Sequence, residues 1–263
     1  MKSILNFQKM KQTKTKISMV TCYDYWTSRI LNTTSIDCLL VGDSASMVMH
    51  GYKTPIAATV EMMAVHVAAV EKGAPDKLII GDMPFLSFRK SLESSFQAAE
   101  TLMRAGAQAL KLEGVDGHEE FIQKLVQSGV PVMGHLGLTP QSVHALGGFK
   151  VQGREKIQAE KLKADALKLQ DLGVFSLVLE CVPSPLANQV TQSLKIPTIG
   201  IGAGADTDGQ VLVLQDLLGS NPDFHPHFLK TFANIHQIIG DAIGAFDQQV
   251  KTGEFPSIQE SYE

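Results

Sequence analysis

The sequence predicts an α/β fold of the (β/α)8 TIM-barrel class, formed as a single domain over residues 1–263. Three observations carry this. Short apolar runs without helical period alternate with amphipathic segments along nearly the whole chain, the pattern of a parallel sheet wrapped by helices. Eight such runs fit a closed barrel better than an open doubly wound sheet, which would show a break between two halves. Several of the runs end in a glycine or a carboxylate, as in CLLVGD, KLIIGD, ALKLEG and SLVLE. Carboxylates at the ends of buried strands are costly unless something positive meets them, which predicts that they converge on one site.

The elements follow in order. Residues 1–16 predict a polar lead-in with one short helix. Residues 17–23 (ISMVTCY) predict the first strand and 25–32 a helix. The second strand is expected over 38–43. Residues 44–58 hold Gly51 and Pro55 with no clear period and predict a long loop. An amphipathic helix at 59–72 stops at Gly73 and Pro75. The third strand is 77–82; Ser91 or Ser94 caps a helix that reaches Arg104 and stops at Gly106. Strand four (109–113), a helix (119–128) and strand five (130–134) come next. Residues 137–153 form a second glycine-rich loop, followed by a long helix at 154–172. Strand six (176–180), a short helix (185–194), strand seven (196–201) and a short strand eight (211–214) close the barrel. A helical tail at 230–251 precedes a loose polar end.

Apolar residues make up 44% of the chain and charged residues 19%, enough for a sizeable core. The net charge is −4 without blocks of like charge, which argues against nucleic acid or an anionic membrane as partner. No apolar run approaches the roughly 18 residues of a membrane helix. The start lacks the apolar segment of a signal peptide, which predicts a cytoplasmic protein. Cys22, Cys38 and Cys181 form no CxxC pair and predict buried free thiols.

In a barrel of this class catalytic groups sit where strands end. That places Asp43, Asp82, Glu113, His135 and Glu180 on one face, with Ser44 directly after Asp43. Lys111 and Glu113 share a strand face, because alternate residues point the same way. Asp43, Asp82 and Glu113 offer hard oxygen ligands that suit Mg2+ better than zinc, or else they cap helices. Glu180 is a general base or a barrel salt bridge. Lys111 binds an anionic substrate group or pairs with Glu113, and His135 positions a substrate or packs in the core. The GIGAG at 200–204 is a weak nucleotide fingerprint, equally explained by tight rim turns. His225 and His227 flank Pro226 as solvated loop residues.

The stretches VGDSASM (41–47), AAVEKGAP (68–75), GDMPF (81–85), RAGAQALKLEG (104–114), GHLGLTPQSV (134–143), GGFKVQGR (147–154), LVLECVP (177–183) and IPTIGIGAG (196–204) resemble the ketopantoate hydroxymethyltransferase family over roughly residues 15–255. The resemblance implies a barrel related to the phosphoenolpyruvate/pyruvate enzymes. It implies one Mg2+ per subunit and 5,10-methylenetetrahydrofolate as co-substrate, with hydroxymethylation of 3-methyl-2-oxobutanoate through an enolate. Asp43, Asp82 and Glu113 match the metal positions. Asp43, Ser44, Asp82 and Lys111 match substrate contacts, and Glu180 matches the proton acceptor. It also implies a homo-oligomer, often a decamer. The nearest rival is a Mg2+-dependent lyase or aldolase acting on another 2-oxo acid. Two departures stand out: Ala45-Ser46 where the family carries a bulky residue and a glycine, and Gln215 where it carries histidine.

Overall fold

The computed structural model describes residues 3–262, so positions 1–2 of the lead-in and 263 of the tail lie outside the described residues. It divides into two compact units, at Leu212/Val213. The first holds α1 (Ile4–Gln12), β1 (Ile17–Thr21), α2 (Tyr25–Asn32), β2 (Cys38–Val41), α3 (Ala45–Val48), α4 (Val60–Gly73), β3 (Leu78–Asp82), α5 (Leu92–Arg104), β4 (Ala109–Glu113) and α6 (Glu119–Gln127). It continues with β5 (Val132–Gly137), α7 (Lys156–Asp171), β6 (Ser176–Glu180), α8 (Ser184–Ser193), β7 (Thr198–Ile201) and β8 (Gly209–Leu212). The strands pair in chain order, and β8 pairs with β1 through Ile17↔Gly209 to close a parallel barrel. The predicted barrel class is what the chain forms.

Side-chain parity sets what faces the barrel axis. Cys38 and Leu40 of β2, Leu78 and Ile80 of β3, Ala109 of β4, Met133 of β5, Val178 of β6, Ile199 of β7 and Val211 of β8 form one buried cluster with Phe7 of α1. Phe7 is wholly buried and meets the Phe175 ring edge-on, 5.6 Å between centroids. The alternate residues Leu39, Ile79, Leu110, Leu112, Leu177 and Leu179 are buried as well. Burial on both faces is why these strands read as continuous apolar runs. Two residues further along the inward parity come Asp82, Lys111, His135 and Glu180, and two beyond Lys111 comes Glu113.

Helix starts follow local chemistry. The Asp24 carboxylate accepts from Thr27 N–H at 2.8 Å, and Thr59 Oγ1 accepts from Met62 N–H at 3.2 Å. Ser91, rather than Ser94, caps α5. β5 starts two residues later than predicted and runs on to Gly137. Val130 N–H still bonds the Leu125 carbonyl at the end of α6, and the Gly137↔Glu180 pairing with β6 extends the far end. Both supposed loops contain short ordered pieces, α3 and 3-10 turns at Pro55–Ala57 and Pro140–Ser142. Cys22 and Cys38 are buried as expected, whereas Cys181 is only half-buried, because it lies past the end of β6 in a left-handed turn at φ 48°. Burial pushes the Cys22 thiol up to about 12 and the Cys181 thiol up to about 11, so both stay protonated at neutral pH.

The second unit holds α9 (Leu214–Leu217), α10 (Ile235–Thr252) and a 3-10 turn at Ile258–Glu260. Phe232 N–H bonds the Leu217 carbonyl at 2.8 Å and Ile235 N–H the Leu218 carbonyl at 2.9 Å. Asn234 caps α10 by accepting from Gln237 N–H, which keeps residues 230–234 out of the predicted tail helix. Gly253, at φ 77°, ends it. Gln215 lies in α9, and His225 and His227 are exposed.

Gly137 joins the fold to the site. At φ 93° a Cβ there would overlap the Glu180 carbonyl oxygen and stand 2.6 Å from Val182 Cγ2. Gly137→Ala is expected to lower the unfolding free energy by about 2–4 kcal/mol. Gly129→Ala, at φ 85° with open space around it, is expected to cost about 1–2 kcal/mol. Urea denaturation of the two variants measures the difference, and equal losses would show that the crowding at Gly137 relaxes freely.

Candidate active site

The inward parity that builds the apolar layers also builds the polar one above them. Asp82 ends β3, Lys111 and Glu113 lie on β4, His135 is on β5 and Glu180 ends β6. β4 pairs with its neighbours through Asp82↔Lys111 and Glu113↔His135, so adjacent strands bring these groups side by side. Lys111 Nζ stands 2.9 Å from Asp82 Oδ1 and 3.3 Å from His135 Nδ1. His135 Nδ1 is 3.4 Å from Glu113 Oε1, and its Nε2 is 3.3 Å from Glu180 Oε2. Asp43 enters from the turn after β2, its N–H bonded to Asp82 Oδ2 at 3.1 Å. All five predicted strand-end groups therefore share one constellation with Lys111. Glu180 is the most open of them, its side chain 18% exposed against 3% for His135.

The electrostatics show what the constellation lacks. Burial raises the Asp43 carboxyl well above its usual range, and the Asp82 and Glu113 charges add to this beyond what Lys111 and Gln141 offset. Burial also raises Asp82, the Glu113 charge adds, and Lys111 opposes. Burial opposes the charge on Lys111, but Asp82, Glu113 and Asp43 together outweigh it and the ammonium is held more firmly protonated than usual. Burial would raise Glu113, yet the His135 contact, Lys111 and the Gln141 N–H lower it. Burial and Lys111 act against protonation of His135, and the Glu113 and Glu180 contacts prevail to raise it. Negative charge is in surplus at Asp43 and Asp82.

Among the described residues no group of three His, Cys, Asp or Glu side chains is arranged to hold a metal ion. The Asp43–Asp82 pair nevertheless suits a small hard cation that takes one or two carboxylates and completes its shell with water and substrate oxygens. Glu113 is more committed to the protein, with Oε2 accepting the Gln141 N–H at 3.0 Å.

Ser44 is half-buried at the rim, and its Oγ lies 2.8 Å from the Tyr23 hydroxyl. The Ala45-Ser46 departure has a structural consequence. Ser46 is buried, and its Oγ donates to the Asp43 carbonyl at 2.8 Å with the Thr54 carbonyl at 3.4 Å, so it ties α3 to the turn that presents Asp43.

Two further residues of the site, Gln141 and Arg89, and a buried histidine near Arg89 were not singled out from the chain. Buried Gln141 donates through Nε2 to Asp43 Oδ2 at 2.8 Å and to the Met83 carbonyl at 2.9 Å. Arg89 donates to the Glu113 carbonyl at 2.9 Å and to the Asp116 carbonyl at 2.9 Å. His118 precedes α6, buried against the Phe88 ring at 5.0 Å. Gln141 lay inside GHLGLTPQSV, the one signal available. Its contacts reach across the sequence by 28, 58 and 98 residues, separations that no local pattern encodes.

A family model described as ketopantoate hydroxymethyltransferase matches residues 1–258. A 3-methyl-2-oxobutanoate hydroxymethyltransferase of Coxiella burnetii (strain CbuG_Q212) is 59% identical, covering 97% of this chain and 96% of its own. The enzyme of that name from Bdellovibrio bacteriovorus is 56% identical over 100% of both chains. That of Francisella tularensis subsp. novicida is 50% identical over 100% and 99%. Among solved structures, 2,3-dimethylmalate lyase, a PEP mutase/isocitrate lyase superfamily member, aligns with TM-score 0.61 and 14% identity over 98% of this chain and 91% of its own. Phosphonopyruvate hydrolase in complex with oxalate and Mg2+ aligns with TM-score 0.63 and 9% identity over 99% and 93%. These two share the fold.

Burial, with the Arg89 charge adding, holds the His118 imidazole down to about 4. The unfolded chain takes up this proton from about pH 6.5 downward, the folded chain only near pH 4. Stability contributed by neutral His118 is therefore complete above pH 6.5 and is lost as pH falls toward 4. Between pH 7 and pH 5 the loss is expected to be about 1–2 kcal/mol. Urea midpoints at the two pH values should converge in His118→Gln by that amount; an unchanged difference would assign the acid sensitivity elsewhere.

Proposed function

The chain belongs to the ketopantoate hydroxymethyltransferase family and is a hydroxymethyltransferase of pantothenate biosynthesis, and we propose that it transfers the hydroxymethyl group from 5,10-methylenetetrahydrofolate to 3-methyl-2-oxobutanoate, giving 2-dehydropantoate. The observation that most supports this division of labour is the buried imidazole of His135, 3.3 Å from the Lys111 ammonium on one side and 3.3 Å from the Glu180 carboxylate on the other. Anion binding and proton removal thus sit on two sides of one ring.

Lys111 and Ser44 bind the anionic 2-oxo acid, with Asp43 and Asp82 beside them. Lys111 keeps its proton because Asp82 accompanies it, so it offsets charge on the substrate throughout. Glu180 is the general base and takes the C3 proton of 3-methyl-2-oxobutanoate. His135 places Nε2 3.3 Å from Glu180 Oε2 and orients that carboxylate. Both C–N bonds of the folate's methylene bridge break: the electron pair left at C3 forms the new C–C bond to that carbon, water supplies its hydroxyl oxygen, and tetrahydrofolate leaves with the C3 proton, passed on by Glu180, and one water proton on its two nitrogens. Asp43 and Asp82, with Glu113 beside them, would hold one Mg2+ per subunit. When bound, that ion supplies Lewis-acid stabilisation of the charge that develops on the 2-oxo acid oxygens. The surplus of buried negative charge at Asp43 and Asp82 supports a cation there.

The protein works in the cytoplasm as a homo-oligomer, decameric by family analogy. No helix among the described residues is long and apolar enough to cross a membrane. Exposed Ile238, Ile239, Ile243 and Phe246 on α10 support self-association.

Glu180→Gln is expected to abolish turnover while 3-methyl-2-oxobutanoate still binds. Proton NMR in D2O follows it: wild type with Mg2+ loses the C3 proton signal and the variant retains it. Normal exchange by the variant would remove Glu180 from the role of base. Saturating Mg2+ is expected to stabilise the EDTA-treated wild type by about 2–3 kcal/mol, seen as a rise in Tm. Asp43→Asn should lose most of that rise, and an equal rise in both would place the ion elsewhere.

A further inference from the structure

Tyr23 is only 1% exposed, yet its phenol ends against a polar group, Ser44 Oγ at 2.8 Å. The residue is held on every side. Cys22 N–H bonds the Leu40 carbonyl at 3.0 Å, and Asp24 caps α2 immediately after it. The Tyr23 carbonyl can only accept, so His66 Nδ1, 2.6 Å away, carries the proton of that contact. His66 Nε2 meets His50 Nε2 at 2.9 Å, and the His66 ring stands edge-on to the Tyr23 ring at 6.3 Å. His66, on α4, is therefore tied to the backbone at Tyr23 and to His50. Ser44 is constrained in turn, because a Cβ at Gly42 would stand 2.9 Å from its Oγ. Glycine at 42 leaves room for that hydroxyl.

A serine hydroxyl has one hydrogen to give. If Ser44 gave it to Tyr23, only lone pairs would face an anionic substrate, which repels them. If Tyr23 donates, the Ser44 hydrogen is left for the substrate, and the two bonds strengthen each other. The phenol is the more acidic of the two hydroxyls and the better donor. We propose that Tyr23 is a positioning residue: its phenol donates to Ser44 Oγ and aims the Ser44 hydrogen at an anionic oxygen of the 2-oxo acid. This rests on Ser44 as a substrate contact, as argued above.

The test is a double-mutant cycle in steady-state kinetics with Tyr23→Phe, Ser44→Ala and the pair. Tyr23→Phe keeps the ring and its packing. It is expected to raise KM for 3-methyl-2-oxobutanoate by about 2- to 10-fold, the effect of one neutral hydrogen bond. KM for the folate and kcat should stay within about twofold. Ser44→Ala should raise KM for the 2-oxo acid as well, and adding Tyr23→Phe to it should change KM no further. A merely structural role would lower Tm and act equally in both backgrounds. Unchanged KM in Tyr23→Phe, or effects that multiply in the pair, would overturn the inference while leaving the substrate assignment standing. Absence of turnover of 3-methyl-2-oxobutanoate by wild type would overturn both.

Discussion

The pair formed by Lys111 and Asp82 is the constraint on which the rest of the site depends. Both side chains are almost wholly buried, and their charged atoms are 2.9 Å apart. Removing one partner of such a pair costs about 3–5 kcal/mol, because the other is left buried and unpaired. β3 and β4 must therefore run in the one register that sets Asp82 opposite Lys111. The β4–β5 register sets Glu113 beside His135, and the β5–β6 register places Gly137 beside Glu180.

The barrel is thus two structures on one set of strands. Toward the N-terminal ends its interior is apolar and closed by Phe7. One further step of two residues along the same faces replaces aliphatic groups with charged ones. Continuous hydrogen bonding around a closed sheet makes the upper layer as rigid as the lower, so charged groups are held at short distances without loops to position them. The exceptions are Asp43 and Ser44, which stand in the turn beyond β2 and need their own supports. Asp43 has Gln141 and the Asp82 carboxylate; Ser44 has Tyr23.

Within this arrangement charge is not balanced by the chain alone. Lys111 is shared among Asp82, Asp43 and Glu113, and His135 lies between Glu113 and Glu180. Asp43 and Asp82 are the carboxyls of this cluster that hold their protons above the usual range, Asp82 in spite of its Lys111 partner.

The barrel was legible from the chain alone, because burial on two faces, alternation with helices and a carboxylate at the end of four of the strands are properties of neighbouring residues. β4 and β6 were legible to the residue, since ALKLE and SLVLE are bounded by glycine or turn signals. Asp43, Asp82, Glu113 and Glu180 were likewise grouped by their place at the ends of apolar runs, and strand parity joined Lys111 to Glu113. β5 was misplaced, because Val130 looks like strand but its N–H still bonds the end of the preceding helix, and the register with β6 alone carries the strand to Gly137. Gln141, Arg89 and the Tyr23–Ser44 contact were decided only by tertiary structure. Each joins segments more than 20 residues apart, and a hydrogen bond across such a distance leaves no period, cap or spacing in the chain to announce it.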